Sequence, residues 1–94
     1  MDYSAIQTAV SNPAHLEKMA ALAKQYGLPL DQGFAVSSIQ FEHPQTGGNR
    51  GFALIIRKDG EDLIESDRLT EDPYGFWTRR ALKKIVKRAI KVAA

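Results

Sequence analysis

The stretch of sequence that decides the fold is Gly51-Phe-Ala-Leu-Ile-Ile-Arg-Lys-Asp-Gly-Glu-Asp-Leu-Ile-Glu-Ser66. Two runs, 51–58 and 61–66, carry the apolar and β-branched residues of strands and flank Asp59-Gly60, a dipeptide that favours a tight hairpin turn. A third strand-like run extends from Phe34 to Phe41. The sequence therefore predicts three consecutive antiparallel strands, a β-meander.

The register of the hairpin depends on the length of its turn. A three-residue loop, 58–60, pairs Leu54 with Ile64, whereas a two-residue turn pairs Leu54 with Glu65 and scatters the apolar side chains. We expect the longer loop because it buries one coherent face. That face consists of Phe52, Leu54, Ile56 and Ile64.

The same register places a second apolar pair, Ile55 and Leu63, on the opposite face of the sheet. This pair suggests that the opposite face is partly covered, either by the amino-terminal segment or by a second copy of the protein. A homodimer is therefore among the expected assemblies.

Sequence signals for a helix precede the first predicted strand. Asn12 suits a cap, Pro13 suits the first helical position and Gly27 suits the end, so the sequence predicts a helix from Pro13 to Tyr26. Its apolar stripe indicates packing rather than binding. Apolar spacing between Asp2 and Ser11 predicts a further short helix.

Composition limits the classes to which the protein can belong. The 94 residues fit one domain, 1–94, and 44% hydrophobic with 26% charged residues is typical of a folded globular protein. The absence of cysteine excludes disulfides and thiolate metal sites and favours a cytoplasmic location. No run approaches the ~18 apolar residues of a membrane span, and the amino terminus lacks a signal-peptide pattern, so we expect no membrane partner.

Motifs for catalysis are missing from the sequence. The only histidines, His15 and His43, have no partner at a metal-ligand spacing. Ser37 and Ser38 lie in a predicted strand without the Gly-x-Ser-x-Gly turn that presents a nucleophile. The glycine-rich segment 46–50 lacks the Gly-Lys-Ser/Thr ending of a phosphate loop. We therefore expect no enzymatic activity, no cofactor and no metal site.

Charge is segregated along the chain. Residues 1–72 hold 6 basic and 11 acidic side chains, a net charge of −5, whereas residues 73–94 hold 7 basic and none acidic, a net charge of +7, which together give the overall +2. A helix predicted from Pro73 almost to Ala94 has one apolar stripe, made of Leu82, Ile85, Val86, Ala89, Ile90 and Ala93. Its opposite face carries Arg80, Lys83, Lys84, Lys87, Arg88 and Lys91.

Two further residues are candidates to assist this basic face. Trp77 falls among the basic residues if the helix is already regular at that point. Burial is the favoured interpretation for its ring, and for Phe76 and Tyr74, because large aromatic side chains usually pack onto a core. Arg50 belongs to a long, glycine-rich loop, 43–51, for which a mobile tip is the favoured interpretation.

The predicted order of helix, three strands and helix resembles the layout of double-stranded RNA-binding domains, and a basic last helix fits that layout. The chain departs from that family where the family's lysine cluster opens the last helix, since Pro73-Tyr-Gly-Phe-Trp77 stands there. Separately, segment 72–84 is similar to a stretch in phage single-strand annealing recombinases. Neither similarity transfers a residue's role, and we assign the chain to neither family.

The sequence thus predicts an α+β domain of α-β-β-β-α order, with amino-terminal helices, a three-stranded meander and a long basic carboxyl-terminal helix packed on the sheet. The first functional hypothesis is a small non-enzymatic nucleic-acid-binding protein that uses the basic helix. The alternative is a protein-interaction module that binds an acidic partner or self-associates. A structural interpretation also stands, because residues 59–72 have a net charge of −6 and would neutralise the helix if they lay across it.

Overall fold

The structure, a computed structural model, describes residues 7–9, 13–42, 49–70 and 75–93. It confirms the α+β class and the α-β-β-β-α order from Pro13 onward. A 3-10 turn, Leu30–Gln32, leads from the first helix into the meander. The helices and strands are β1 (Gln7–Ala9), α1 (Pro13–Gln25), β2 (Phe34–Glu42), β3 (Asn49–Lys58), β4 (Glu61–Glu65) and α2 (Phe76–Ala93).

Both helices pack on the same face of the antiparallel sheet, which has the strand order β1-β2-β3-β4. Met19 and Ala23 of α1 and Leu82 and Val86 of α2 are fully buried against the sheet. The alternation of strands β2 and β3 supplies the other side of this core with Phe34, Val36, Phe52, Leu54 and Ile56. The face predicted for β3 is therefore the face that the helices cover.

The register predicted for the β3–β4 hairpin is wrong. The turn has two central residues, Asp59 and Gly60, and both have positive φ, 54° and 86°, as in a type I′ turn. Arg57 consequently faces Asp62, and a register shift then places Ile56 opposite Ile64. One extra residue in β4, a β-bulge, therefore compensates for the shorter turn and keeps Ile64 on the buried face.

The bulge also changes the predicted apolar pair on the opposite face. Ile55 pairs with Glu65 rather than with Leu63, and Leu63 packs against the core beneath the helices together with Ile64. Ile55 is itself buried, as are Phe41 and Ala53. Ile55 and Leu63 thus offer no exposed apolar pair for self-association.

The amino-terminal helix predicted between Asp2 and Ser11 is wrong at Gln7–Ala9, which form strand β1. Gln7 lies opposite Phe41 and Ala9 opposite Ile39, so pairing with β2 satisfies the backbone groups that a short helix would have paired internally. The rest of that predicted helix lies outside the described residues. The sheet therefore has a fourth, short strand beside the predicted meander.

The chain beyond β4 stays attached to β3. Ser66 N–H donates to the Leu54 carbonyl at 2.8 Å, and Phe52 and Leu69 exchange two backbone hydrogen bonds of 2.8 and 2.7 Å. Gly51 allows this approach, because its φ is +104° and a Cβ there would lie 2.4 Å from the Leu69 carbonyl oxygen. Segment 66–69 is thereby held beside α2.

Candidate nucleic-acid interface

The apolar stripe of α2 determines which side of the helix faces solvent. Thr78, Leu82, Ile85, Val86 and Ala89 are buried, at the three- and four-residue spacings of a helix lying on a core. Ile90 was expected in this stripe but is 38% exposed, and Val92 is 61% exposed. The last turn of α2 therefore covers less of the sheet than its sequence pattern predicts.

The basic side chains of α2 lie on the exposed side of the helix. All seven are exposed, and α2 contains no acidic side chain. At about 100° per residue, Arg80, Lys87 and Lys91 follow the crest opposite the buried stripe. Lys83 lies on the flank toward α1, and Lys84 and Arg88 lie on the flank toward β4. We call Arg80, Lys83, Lys84, Lys87, Arg88 and Lys91 the basic face.

The basic face makes no ion pair within the part of the chain that the structure describes. Two ion pairs elsewhere in the structure join Arg57 Nε to Asp62 Oδ1 at 3.0 Å and Lys58 Nζ to Asp59 Oδ2 at 4.0 Å. Both pairs use basic side chains of β3 rather than of α2. One sequence-based interpretation was that the acidic hairpin neutralises the helix directly, and the described residues show no such ion pair. Glu71 and Asp72 lie outside the described residues.

The burial expected for the aromatic side chains at the start of α2 is wrong. Phe76 is 59% exposed and Trp77 is 60% exposed, because the helix is regular from Phe76 onward and its geometry carries both residues away from the sheet. Their ring centroids are 5.1 Å apart in an edge-to-face arrangement. Arg80 Cζ lies 5.7 Å from the centroid of the Trp77 ring, at cation–π distance. Tyr74 lies outside the described residues.

A groove of about 230 Å³ separates α2 from the end of the hairpin. Trp77, Arg80, Lys84 and Arg88 line it on the helix side, and Glu65 and Asp67 line it on the other side. The buried Ile85 and the half-buried Leu69 give it an apolar base. No sequence pattern linked the two carboxylates to Trp77, because the contact between segment 65–69 and α2 is tertiary.

Arg50 is the remaining candidate, and it belongs to strand β3 rather than to a loop, because that strand begins at Asn49. Its side chain, like residues 43–48, lies outside the described residues. The structure therefore brings Trp77 together with the basic face and leaves Arg50 as a prediction. Phe76 was not predicted as a site residue, although a helical projection extended back to it places it near Arg80 on the exposed side.

No family model matches the chain, and no curated protein or solved structure is significantly similar to it. Among the described residues, no three histidine or acidic side chains lie close enough together to hold a metal ion. In the same residues neither helix is long and apolar enough to cross a membrane. The functional interpretation consequently depends on the charge and shape of the α2 surface.

Proposed function

We propose that the protein is a small, non-enzymatic nucleic-acid-binding protein that uses the basic face of α2. The observation that carries the proposal is a row of six exposed lysine and arginine side chains that make no ion pair in the described residues. Such a row repels itself, and phosphates relieve that repulsion while they release counterions from the nucleic acid. Trp77 and Phe76 add exposed aromatic surface, on which bases stack.

The number of contacts sets the expected salt dependence. If all six side chains of the basic face neutralise one phosphate each, log K should fall against log salt with a slope of about −4 to −5, from ~0.7 to 0.9 per phosphate. Fluorescence anisotropy with labelled oligonucleotides at several salt concentrations measures this slope. The paired substitution Lys84→Glu with Arg88→Glu should weaken binding strongly.

A matched control keeps the change in charge but moves it away from α2. Lys18→Glu with Lys24→Glu reverses two charges on α1, where both side chains are exposed. This control should retain most of the affinity for nucleic acid. Absence of binding to any oligonucleotide at low salt, or equal losses in the two double variants, would contradict the proposal.

The alternative function is a protein-interaction module that binds an acidic protein. Its specific support is that the four large apolar side chains found exposed in the described residues all belong to α2, namely Phe76, Trp77, Ile90 and Val92. Exposed aromatic residues beside cations are typical of protein interfaces. Under this alternative, Val92→Ser should weaken partner binding while leaving the affinity for oligonucleotides unchanged.

A further inference from the structure

The two sides of the groove along α2 have opposite charges. Arg80, Lys84 and Arg88 line one side, and Glu65 and Asp67 line the other, with Trp77 near the start of the helix. No basic group of α2 lies within 4.0 Å of a described carboxylate, so both sides remain open to a ligand. A uniformly anionic ligand does not match such a groove, whereas a ligand with one anionic side and one hydrogen-bond-donating side does.

The carboxylates restrict where phosphate can lie. A phosphate placed inside the groove would meet Glu65 and Asp67, and this like-charge repulsion favours positions over the crest of α2 instead. The crest offers Lys87 and Lys91, and the flank toward α1 offers Lys83; none of these three side chains lines the groove. A phosphodiester chain that follows the crest therefore has its bases, rather than its phosphates, directed toward the groove.

The side chains that line the groove suit a flat heterocycle. The Trp77 ring supplies a stacking surface, and Leu69 with Ile85 supplies apolar contact below it. The Ser66 hydroxyl is already used, because it accepts from Leu54 N–H at 2.8 Å and donates to the Asp67 carbonyl at 2.9 Å. The available polar groups are thus the carboxylate oxygens of Glu65 and Asp67, which accept hydrogen bonds only.

Resting on the proposed function, we propose that the ligand is a single strand, with one unpaired base against Trp77 in this groove and its phosphates along the crest of α2. A base inside a duplex cannot offer its face to Trp77, because its neighbours are stacked on it. Carboxylate acceptors pair with the amino group of cytosine, whereas thymine presents a carbonyl oxygen at the equivalent position. The groove therefore favours cytosine over thymine.

The experiment compares three labelled probes: oligo-dC and oligo-dT of about 12 nucleotides, within the ~4 to 16 that single-strand sites cover, and a blunt-ended duplex of two annealed strands. Anisotropy measures affinity. The fluorescence of Trp77, the only tryptophan, reports stacking. We expect oligo-dC to bind about fivefold or more tightly than oligo-dT, and both to quench Trp77. The duplex should bind more weakly and leave Trp77 unquenched.

Two sets of variants separate the contribution of Trp77 stacking from that of the Glu65 and Asp67 carboxylates. Trp77→Ala should lower affinity for both single strands by about fivefold or more without changing duplex binding, and Trp77→Phe should restore most of the loss. Glu65→Gln with Asp67→Asn should reduce the preference for oligo-dC, because each amide keeps only one neutral acceptor oxygen and gains a donor group that also suits the thymine carbonyl. Glu17→Gln with Asp31→Asn makes the same change in charge on exposed residues outside the groove and should leave that preference intact. Circular dichroism of each variant establishes that it is folded.

The outcomes distinguish this inference from the proposed function. Equal affinity for duplex and single strands without quenching of Trp77 would overturn the inference and leave nucleic-acid binding standing. An equal rise in affinity for both oligonucleotides in the Glu65→Gln, Asp67→Asn variant, with an unchanged ratio, would show that the carboxylates only repel phosphate and would overturn base binding in the groove. Absence of binding to all three probes at low salt would overturn the proposed function itself.

Discussion

The hydroxyl of Ser66 holds the segment after β4 against the sheet, and its removal should destabilise the protein. Ser66 is 7% exposed, and its Oγ accepts the hydrogen bond of the fully buried Leu54 N–H at 2.8 Å. In Ser66→Ala no other group takes over this donor, and an unpaired buried N–H costs about 1–3 kcal/mol. A domain of this size is expected to have roughly 5–14 kcal/mol of total stability, so the loss should be easily measured.

Urea and thermal unfolding followed by circular dichroism measure the change. Each kcal/mol should lower the midpoint temperature by roughly 4–8 °C in a domain of this length. The matched control is Ser38→Ala, because Ser38 is 1% exposed and its hydroxyl has no hydrogen-bond partner among the described residues. Removal of this unpartnered hydroxyl should be neutral or stabilising. Equal losses of stability in the two variants would refute the assignment of the Leu54 hydrogen bond to Ser66.

Two further substitutions test the close approach of β3 to segment 66–69 and the charge of the basic face. Gly51→Ala should lower the free energy of unfolding by about 1–3 kcal/mol through backbone strain, and by more through the clash with the Leu69 carbonyl. Gly60 also has a positive φ but has open space around it, so Gly60→Ala should cost only the strain. Equal unfolding midpoints for the two variants would contradict the close approach of Gly51 to Leu69. Lys87→Glu should stabilise α2 by about 0.5–1 kcal/mol, because it removes like-charge contacts with Lys83 and Lys91, and it should weaken oligonucleotide binding. Chemical denaturation measures the stability, and fluorescence anisotropy measures the binding. Weaker binding together with lower stability would contradict this prediction.

The bounds of α1 and of the β3–β4 hairpin could be predicted because local signals mark them. Pro13 and Gly27 bracket α1, and Asp59-Gly60 separates β3 from β4, each within a residue or two of the observed boundary. The apolar face of β3 could also be predicted, since alternation along a strand leaves only two choices of face. These features depend on residues that are neighbours in sequence.

The register of the hairpin could not be predicted from the same information. In a hairpin without a bulge, the turn length fixes the register, and a two-residue turn then pairs Leu54 with Glu65 and scatters the apolar side chains. The bulge in β4, opposite Ile56 and Arg57, separates the two choices, so the turn preferred by Asp59-Gly60 and the buried position of Ile64 are both satisfied. No residue type marks this bulge in advance, because packing under the helices determines it.

The exposure of Phe76 and Trp77 was missed for a different reason. A general tendency of aromatic residues toward burial was given more weight than the helical position of these two. Projection at 100° per residue already placed Trp77 near Lys84, so the needed information was the residue at which the helix begins. The groove wall formed by Glu65 and Asp67 had no comparable signal, because it depends on how segment 66–69 follows β3.

The charge pattern of α2 lowers the stability of the helix, and this cost supports the proposal that the basic face binds a ligand. The helix contains five like-charge pairs at four-residue spacing, beginning with Arg79 and Lys83 and ending with Lys87 and Lys91. At about 0.2–0.5 kcal/mol each, these pairs cost the isolated helix roughly 1–2.5 kcal/mol. A face that only needed to be soluble would avoid this cost by alternating acidic with basic side chains, whereas seven of the chain's eleven acidic residues lie in segment 59–72. Stability and binding should therefore respond to charge reversal at Lys87 in opposite directions, whereas a face selected only for solubility would show the gain in stability alone.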